Sequence, residues 1–306
     1  MITILGPTAC GKTALAAYTA YRLGGEVISA DSRQVYRGMD IGTGKDLQDY
    51  IIENTNVPCH LVDILDPREE YNVFHFQQDF FKAYRDITNR GRLPILCGGT
   101  GLYLESVLEG YNLVKVPVNT TRRAELEKKS MPELIGYLAS FGPLHATTDI
   151  SSMDRILKAI EQKEYFRDHN LKPIGDEKVE SLVFGIAPDR SVVRQRITKR
   201  LRQRLDQGLV GEVEGLIQLG VTPERLMAFG LEYKWLTLYC TGKIDREEMF
   251  ERLNTAIHQF AKRQMTWFRR MEKKGIPIFW FTKNETVEEM FNIIEEKLNK
   301  NKTPLL

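Results

Sequence analysis

Residues 2–23 read ITILGPTACGKTALAAYTAYRL, and the order of residue types in this stretch decides the fold. Ile2 to Leu5 make an apolar run of strand length, Gly6 to Thr13 (GPTACGKT) satisfy the spacing G-x(4)-G-K-[ST], and a helical pattern begins at Ala14. Glycines let such a loop turn tightly, so that its backbone N–H groups converge on phosphate oxygens while the positive end of the following helix adds to the field. Lys12 supplies a point charge for a terminal phosphate, and the Thr13 hydroxyl is placed to ligate Mg²⁺. The loop does not name a reaction, because kinases, NTPases and other users of diphosphates share it.

Further runs of strand length follow at 26–29 (EVIS), 60–64 (HLVDI), 94–97 (PILC) and 182–186 (LVFGI), with helical patterns between them at 14–23 and 73–90. Strands alternating with helices predict an α/β fold built on a P-loop-containing, doubly wound parallel sheet, in which ligands sit beyond the carboxyl ends of the strands. Chemistry is therefore expected at ADSRQ, after the second strand, and at GGTGLY, after the fourth. From Tyr111 the pattern turns polar and helical, through RRAELEKKSMPELIGYLASF and MDRILKAIEQKEYFRDH, and strand character returns at Leu182. We read a helical insertion over 112–181 within an α/β domain formed by 1–111 and 182–306. The later part of that domain carries long helices, a short run IFWF (278–281) suited to a further strand, and a tail, KLNKNKTPLL, expected to fray.

Acidic and basic residues nearly balance, 41 against 43, for a net charge of +2, yet the basic ones are concentrated. Arg190 to Arg204 read RSVVRQRITKRLRQR without one acid, and AKRQMTWFRRMEKK places Lys262, Arg263, Arg269, Arg270, Lys273 and Lys274 around Trp267 and Phe268. Two such segments point to a polyanionic partner; a solvated helix face is the plainer reading of either one alone. No apolar run approaches the roughly 20 residues that a bilayer requires, so no membrane partner is expected. The first apolar stretch is broken at Gly6 and Pro7 and does not resemble a signal peptide. Cys10, Cys59, Cys97 and Cys240 lack CxxC spacing, which argues against a zinc site or a disulfide framework and makes a reducing, cytoplasmic setting the simplest. Nothing in the sequence requires more than a monomer.

Asp31 lies at the carboxyl end of the second strand, where it should face phosphates held by the loop. A carboxylate there can ligate Mg²⁺ through water, or take a proton from a nucleophile attacking near a diphosphate; the alternative is that it caps the next helix. Ser32, Arg33 and Gln34 add a hydroxyl, a guanidinium and an amide, groups able to read the polar edge of a base.

In order and spacing, GPTACGKT, ISADSRQVYRGMDIGTGK, HLVDILDP, PILCGGTGLY and AKRQMTWFR together resemble the tRNA dimethylallyltransferases, also called tRNA isopentenyltransferases. The resemblance runs from residue 6 to residue 269. It implies transfer of a dimethylallyl group from dimethylallyl diphosphate to the exocyclic amine of the adenosine immediately 3′ of the anticodon in tRNA. It implies further that the loop Gly6, Pro7, Thr8, Ala9, Cys10, Gly11, Lys12 and Thr13 holds a diphosphate leaving group in place of a nucleotide, with Mg²⁺ on Thr13, and that Asp31 is the general base. Ser32, Arg33 and Gln34, with Thr100 and Arg122, would then contact tRNA at an extruded adenosine. Asp154, Arg155 and Lys158, and Met227, Gly230 and Glu232, would lie in further stretches that contact the anticodon stem-loop.

The basic segments then acquire separate expectations. Val193, Ile197, Leu201 and Leu205 repeat at i, i+4 and should face the core, while Arg196, Arg200 and Arg204 run beside them. Arg196 or Arg200 could there clamp diphosphate, Arg200 being the preferred candidate. Leu253, Ile257, Phe260, Ala261 and Phe268 should bury one side of the later helix, leaving Lys262, Arg263 and Thr266 for tRNA. The chain departs from the family's usual wording in three places: GTGKD (42–46) stands for GTAKP, and GLEYK (230–234) stands where Gly-Tyr-Arg or Gly-Tyr-Lys is usual. The third, TDISSMDRILK (148–158), replaces a His-Pro-Asn-Asp stretch before an Arg-rich helix, with Lys158 in place of an Arg.

Three other readings compete. A small-molecule P-loop kinase would use the loop for ATP but leaves DSRQVYRGMD and AKRQMTWFR unexplained. A prenyltransferase of free adenine nucleotides would need neither the second basic segment nor the insertion, and an inactive RNA-binding module would tolerate a broken loop, whereas this loop is intact.

Overall fold

The computed structural model describes residues 1–111, 113, 116, 117, 119–142, 152–169, 178–283 and 285–302. Among them the strands are β1 (Ile2–Leu5), β2 (Glu26–Ala30), β3 (Ile51–Ile52), β4 (Thr55–Asn56), β5 (Cys59–His60), β6 (Pro94–Gly98), β7 (Leu182–Ile186) and β8 (Ile278–Phe281). The main sheet has the order β5-β2-β6-β1-β7-β8, and every neighbouring pair in it is parallel. The expected doubly wound sheet is thus present, and IFWF does supply its last strand. The helices are α1 (Lys12–Leu23), α2 (Val73–Asn89), α3 (Gly101–Leu108), α4 (Thr120–Leu126), α5 (Met131–Ala139), α6 (Met153–Asp168), α7 (Arg190–Asp206), α8 (Leu209–Gln218), α9 (Pro223–Ala228), α10 (Leu231–Cys240), α11 (Arg246–Lys273) and α12 (Val287–Lys302).

Continuous apolar runs suit strands that are covered on both faces, and alternate residues divide accordingly. Leu5, Ile28 and Leu96 pack on one side with Phe76, Phe80 and Leu104 of α2 and α3. Ile2, Ile4, Val27 and Ile95 pack on the other with Leu15 and Ala16 of α1 and Met290 and Ile294 of α12. A third cluster joins α7, α8, α10 and α11 through Ile197, Leu201, Val213, Leu236, Leu253 and Ile257. No helix among the described residues is long and apolar enough to cross a membrane.

Three expectations need correction. HLVDI is not a strand throughout: pairing stops at His60, because Leu61 (φ 62°) and Asp63 (φ 56°) adopt left-handed backbone. The Asp63 and Ile64 N–H groups turn instead to the Gln34 and Val35 carbonyls, at 3.1 and 2.9 Å. The helix α12 runs to Lys302, over most of the tail expected to fray. Packing divides the chain into Met1–Tyr111 with Glu177–Leu306, and Asn112–Asp176, so the helical unit ends before the expected 181. The physical reason is that Val179 is buried in the sheet's core and the Ser181 hydroxyl lies 2.8 Å from that of Thr3.

The helical unit has its own small core of Leu126, Leu134, Leu138, Ile156, Leu157 and Ile160. Within it Glu164 accepts from Arg122 at 2.6 Å and from the Tyr137 hydroxyl at 2.8 Å. Of TDISSMDRILK, residues 148–151 lie outside the described residues.

One buried acid ties sheet to helix. Glu26, at the start of β2, pairs with the Arg90 guanidinium after α2 and with His60 Nε2 at 2.7 Å. Arg90 first, then His60, hold its carboxyl at about 2 instead of 4.5. A depressed folded-state pKa stabilises fully above the unfolded value and is lost as pH falls from there through the folded one. The stability difference between wild type and Glu26→Gln should therefore shrink on acidification from pH 4.5 toward 2. Denaturant unfolding across that range checks it, and a constant difference would count against the pairing.

Candidate active site

The loop expected to bind phosphate joins β1 to α1, and its shape rests on residues without alternatives. A Cβ on Gly6 would lie 2.8 Å from the Ile186 carbonyl oxygen and 2.7 Å from Cys10 Sγ, so only glycine fits. Gly11 (φ 91°) caps α1 from the left-handed region, and Ala9 (φ 61°) shares that region, which curls the backbone N–H groups toward one point. Burial pushes the Cys10 thiol up, so it packs beneath the loop as a neutral group. Lys12 Nζ reaches the Pro7 carbonyl at 3.4 Å.

A glutamine that the sequence did not single out braces this loop. Gln264 of α11 is buried; its Oε1 accepts from the Thr8 N–H and its Nε2 donates to the Gly99 carbonyl, both at 2.9 Å. The loops after β1 and β6 are thereby held at one spacing. Gln264→Leu keeps the bulk but strands both groups, an expected cost of about 1–3 kcal/mol. Denaturant unfolding should show that loss together with a raised KM for the phosphate-bearing substrate; unchanged values for both would remove the brace from the account.

Asp31 follows β2, and the cap of a following helix expected as its plainer role is not what it makes. No helix begins there for it to cap, the next helical turn being Leu47–Tyr50; its Oδ1 instead accepts from the Arg33 and Gln34 N–H groups, at 2.9 and 3.4 Å, and so braces a turn. Its Oδ2 has no hydrogen-bond partner among the described residues, and the side chain lines the cleft. Thr100, before α3, accepts the Ser32 N–H at 3.1 Å and donates its own N–H to the Ala30 carbonyl at 3.2 Å. Gln34 has a different task from the expected base contact: its Oε1 accepts from the Ser29 hydroxyl at 2.9 Å and its Nε2 donates to the Gly44 carbonyl at 3.0 Å. Arg33 lies 3.7 Å from Glu232 and 5.8 Å from the centre of the Phe260 ring. Burial pushes the Glu232 carboxyl up, against the pull of Arg33 and Arg204.

The loop carrying GTGKD forms the next wall, fixed by two groups that sequence reasoning missed. Glu212 of α8 accepts from the N–H groups of Asp40, Ile41 and Gly42 at 2.8, 2.6 and 3.0 Å, and from the Tyr233 hydroxyl at 2.7 Å. Lys45 is buried, with its Nζ donating to the Tyr36 carbonyl (2.7 Å), to Asp40 (2.6 Å) and to Asp63. All three ammonium donors are used, which is what a buried lysine requires. Lys45 and Gln264 lie inside stretches quoted for the family resemblance; Glu212 carried no signal.

α7 and α11 close the cleft. Arg200 and Arg204 line it, as do Ile257, Phe260, Arg263 and Trp267, whereas Arg196 is exposed and outside the lining. The charge of Arg196 still reaches Cys10. Phe260 was expected in the core and lines the cleft instead, half-buried; Lys262 is exposed and not part of the lining. From α10 come Leu231 and Glu232, after Gly230 (φ 70°), while Met227 on α9 does not line it. The cleft measures about 320 Å³ and brings together Thr8, Lys12, Thr13, Asp31, Ser32, Arg33, Gln34, Thr100, Arg200, Glu232 and Arg263. Arg122, Asp154, Arg155 and Lys158 belong to the helical unit, where Asp154 pairs with Lys158 at 2.9 Å and with Arg123.

Known proteins resemble this chain in sequence and fold. The profile of the IPP transferase family matches residues 34–271, and that of isopentenyl transferase matches residues 1–57. A tRNA dimethylallyltransferase 2 of Bacteroides fragilis is 52% identical over 98% of both chains, and a tRNA dimethylallyltransferase 1 of Porphyromonas gingivalis is 55% identical over 92% of this chain and 93% of its own. A crystal structure of a tRNA isopentenylpyrophosphate transferase from Bacillus halodurans is 34% identical, with a TM-score of 0.70 over 98% of this chain and 96% of that one. With a family profile spanning most of its length and relatives above half identity along nearly all of it, this chain belongs to the IPP transferase family, that of the tRNA dimethylallyltransferases.

Proposed function

We infer that the chain transfers a dimethylallyl group from dimethylallyl diphosphate to the exocyclic amine of the adenosine 3′ of the anticodon in tRNA, releasing diphosphate. The observation that carries this reading is the meeting, in one cleft, of a phosphate loop with a carboxylate, Asp31, that keeps one oxygen unpartnered among the described residues. The relatives named above act on tRNA by name.

The amine nitrogen bonds to carbon 1 of the allyl group as the carbon–oxygen bond breaks and its electron pair leaves with diphosphate. Charge therefore develops on the leaving oxygens and on the nitrogen. The N–H groups of the loop, fixed by its fold before the reaction begins, stabilise the first together with Lys12 and Arg200. Asp31 Oδ2 takes the proton from the second, which becomes acidic only as the new bond forms, so the carboxylate needs proximity more than unusual basicity. The adenine must leave its stack to enter a cleft of this size, and Phe260 and Arg263 offer flat and cationic surfaces to receive it.

Magnesium suits the residues present. The Thr13 hydroxyl has no protein partner among the described residues and lines the cleft beside Lys12, and a hard oxygen donor that leaves places for water and phosphate is what this ion takes. When bound, it would neutralise charge on the departing diphosphate.

Incubation with radiolabelled dimethylallyl diphosphate, Mg²⁺ and either unmodified tRNA or AMP separates the readings. Label in tRNA alone is expected; label in AMP would move the chain to the nucleotide-prenylating class, and label in neither would reopen the kinase.

A further inference from the structure

Arg204 is the one residue of the α7 row that was given no task, and its surroundings are unusual. It is more than nine-tenths buried and lines the cleft, yet its Nη2 is shielded from solvent and has no hydrogen-bond partner among the described residues. Burial and the neighbouring Arg200 both disfavour its charge and lower its pKa. An arginine stays protonated in such a place, so its charge calls for an anion nearby. The nearest is Asp46, which pairs with Arg200 and lies 3.8 Å from Arg204 Nη2. Asp46 is itself two-fifths exposed, with left-handed backbone (φ 40°), on a loop whose Gly44 packs directly against both arginines. Asp46 and Glu232, the acids nearest Arg204, come from GTGKD and GLEYK, two of the stretches where the chain departs from the family's usual wording.

We propose that Arg204 joins Arg200 in holding the diphosphate, and that Asp46 is an exchangeable counter-ion which an entering diphosphate displaces from them. Two adjacent guanidiniums match an anion with several oxygens and more than one charge, whereas Asp46 offers a single carboxylate shared between two cations, one of them at ion-pair distance only. The Arg200–Asp46 pair is partly open to solvent and Arg204 meets Asp46 only at 3.8 Å, so neither contact holds the carboxylate strongly; a polyanion can replace it, and Asp46 sets how tightly the leaving group is held. The proposal rests on the transferase reading for the identity of the substrate, but its test does not depend on transfer.

Calorimetric titration of the whole protein with inorganic pyrophosphate and Mg²⁺ reads the exchange. Asp46→Asn should bind pyrophosphate about threefold to tenfold more tightly than wild type, since no counter-ion must leave. Arg204→Gln, checked for an unchanged unfolding midpoint, should bind at least about fivefold more weakly. Asp49→Asn removes a neighbouring negative charge that does not pair with Arg204, and should stay within about twofold of wild type. Unchanged or weaker binding by Asp46→Asn, or an equal gain in Asp49→Asn, would overturn the proposal, as would unchanged binding by a folded Arg204→Gln. Failure of wild type to prenylate tRNA would sink the transferase reading while leaving this comparison standing.

Discussion

Asp31→Ala is expected to lower turnover of dimethylallyl transfer by about 10²- to 10⁴-fold while leaving pyrophosphate affinity within about twofold of wild type. The split follows from geometry. Asp31 contributes Oδ2 to the cleft and spends Oδ1 on the Arg33 and Gln34 N–H groups, whereas the donors proposed for the phosphates lie on the loop after β1 and on α7. Loss of the brace alone would cost stability of about 1 kcal/mol and some order in the turn. Asp31→Asn separates the two effects, because its amide oxygen can still brace the turn but cannot accept the proton. Single-turnover rates with saturating dimethylallyl diphosphate, beside calorimetric titration of pyrophosphate, give both numbers. Full activity in Asp31→Asn would remove Asp31 as the base; lost pyrophosphate binding in it would make Asp31 part of the phosphate site.

Lys12→Ala should weaken pyrophosphate binding by about 10- to 100-fold, the value of one or two hydrogen bonds to a charged group. Among the described residues Lys12 Nζ makes only a long contact to the Pro7 carbonyl, so little folding energy depends on it and the unfolding midpoint should hardly move. Transfer should fall further than binding, since the ammonium faces charge that grows as the carbon–oxygen bond breaks. Unchanged affinity would mean that the loop does not carry the diphosphate. A large drop in unfolding midpoint would mean that the lysine acts on the loop's shape instead.

Much of this arrangement was legible in the sequence because the elements that carry it are periodic or punctuated. Apolar runs marked β1, β2, β6 and β7 correctly, since strands covered on both faces can be read without alternation. GPTACGKT and ADSRQ fell where strand ends open into a ligand cleft, and the structure puts both there. What the sequence hid was tertiary. HLVDI has strand composition, yet Leu61 and Asp63 turn left-handed to follow the backbone of 34–36, a choice imposed by distant residues. Glu212 looks like any helical surface glutamate until three N–H groups of the loop at 40–42 converge on it from far along the chain. The row Arg196, Arg200 and Arg204 was visible as a row, but helical spacing could not say that one member is exposed, one pairs with Asp46 and one is buried. Phe260 was assigned to the core for the same reason: apolar spacing does not distinguish a protein interior from the wall of a cleft.

The central claim is that the dimethylallyl group passes to one amine of one nucleoside. An anticodon stem-loop RNA incubated with the protein, Mg²⁺ and dimethylallyl diphosphate, then digested to nucleosides and analysed by mass spectrometry, tests it most directly. The expected result is a dimethylallyl adduct on adenosine alone, lost when the adenosine 3′ of the anticodon is replaced by guanosine. An adduct that persists after that replacement, or unmodified RNA from protein that binds pyrophosphate, would contradict it.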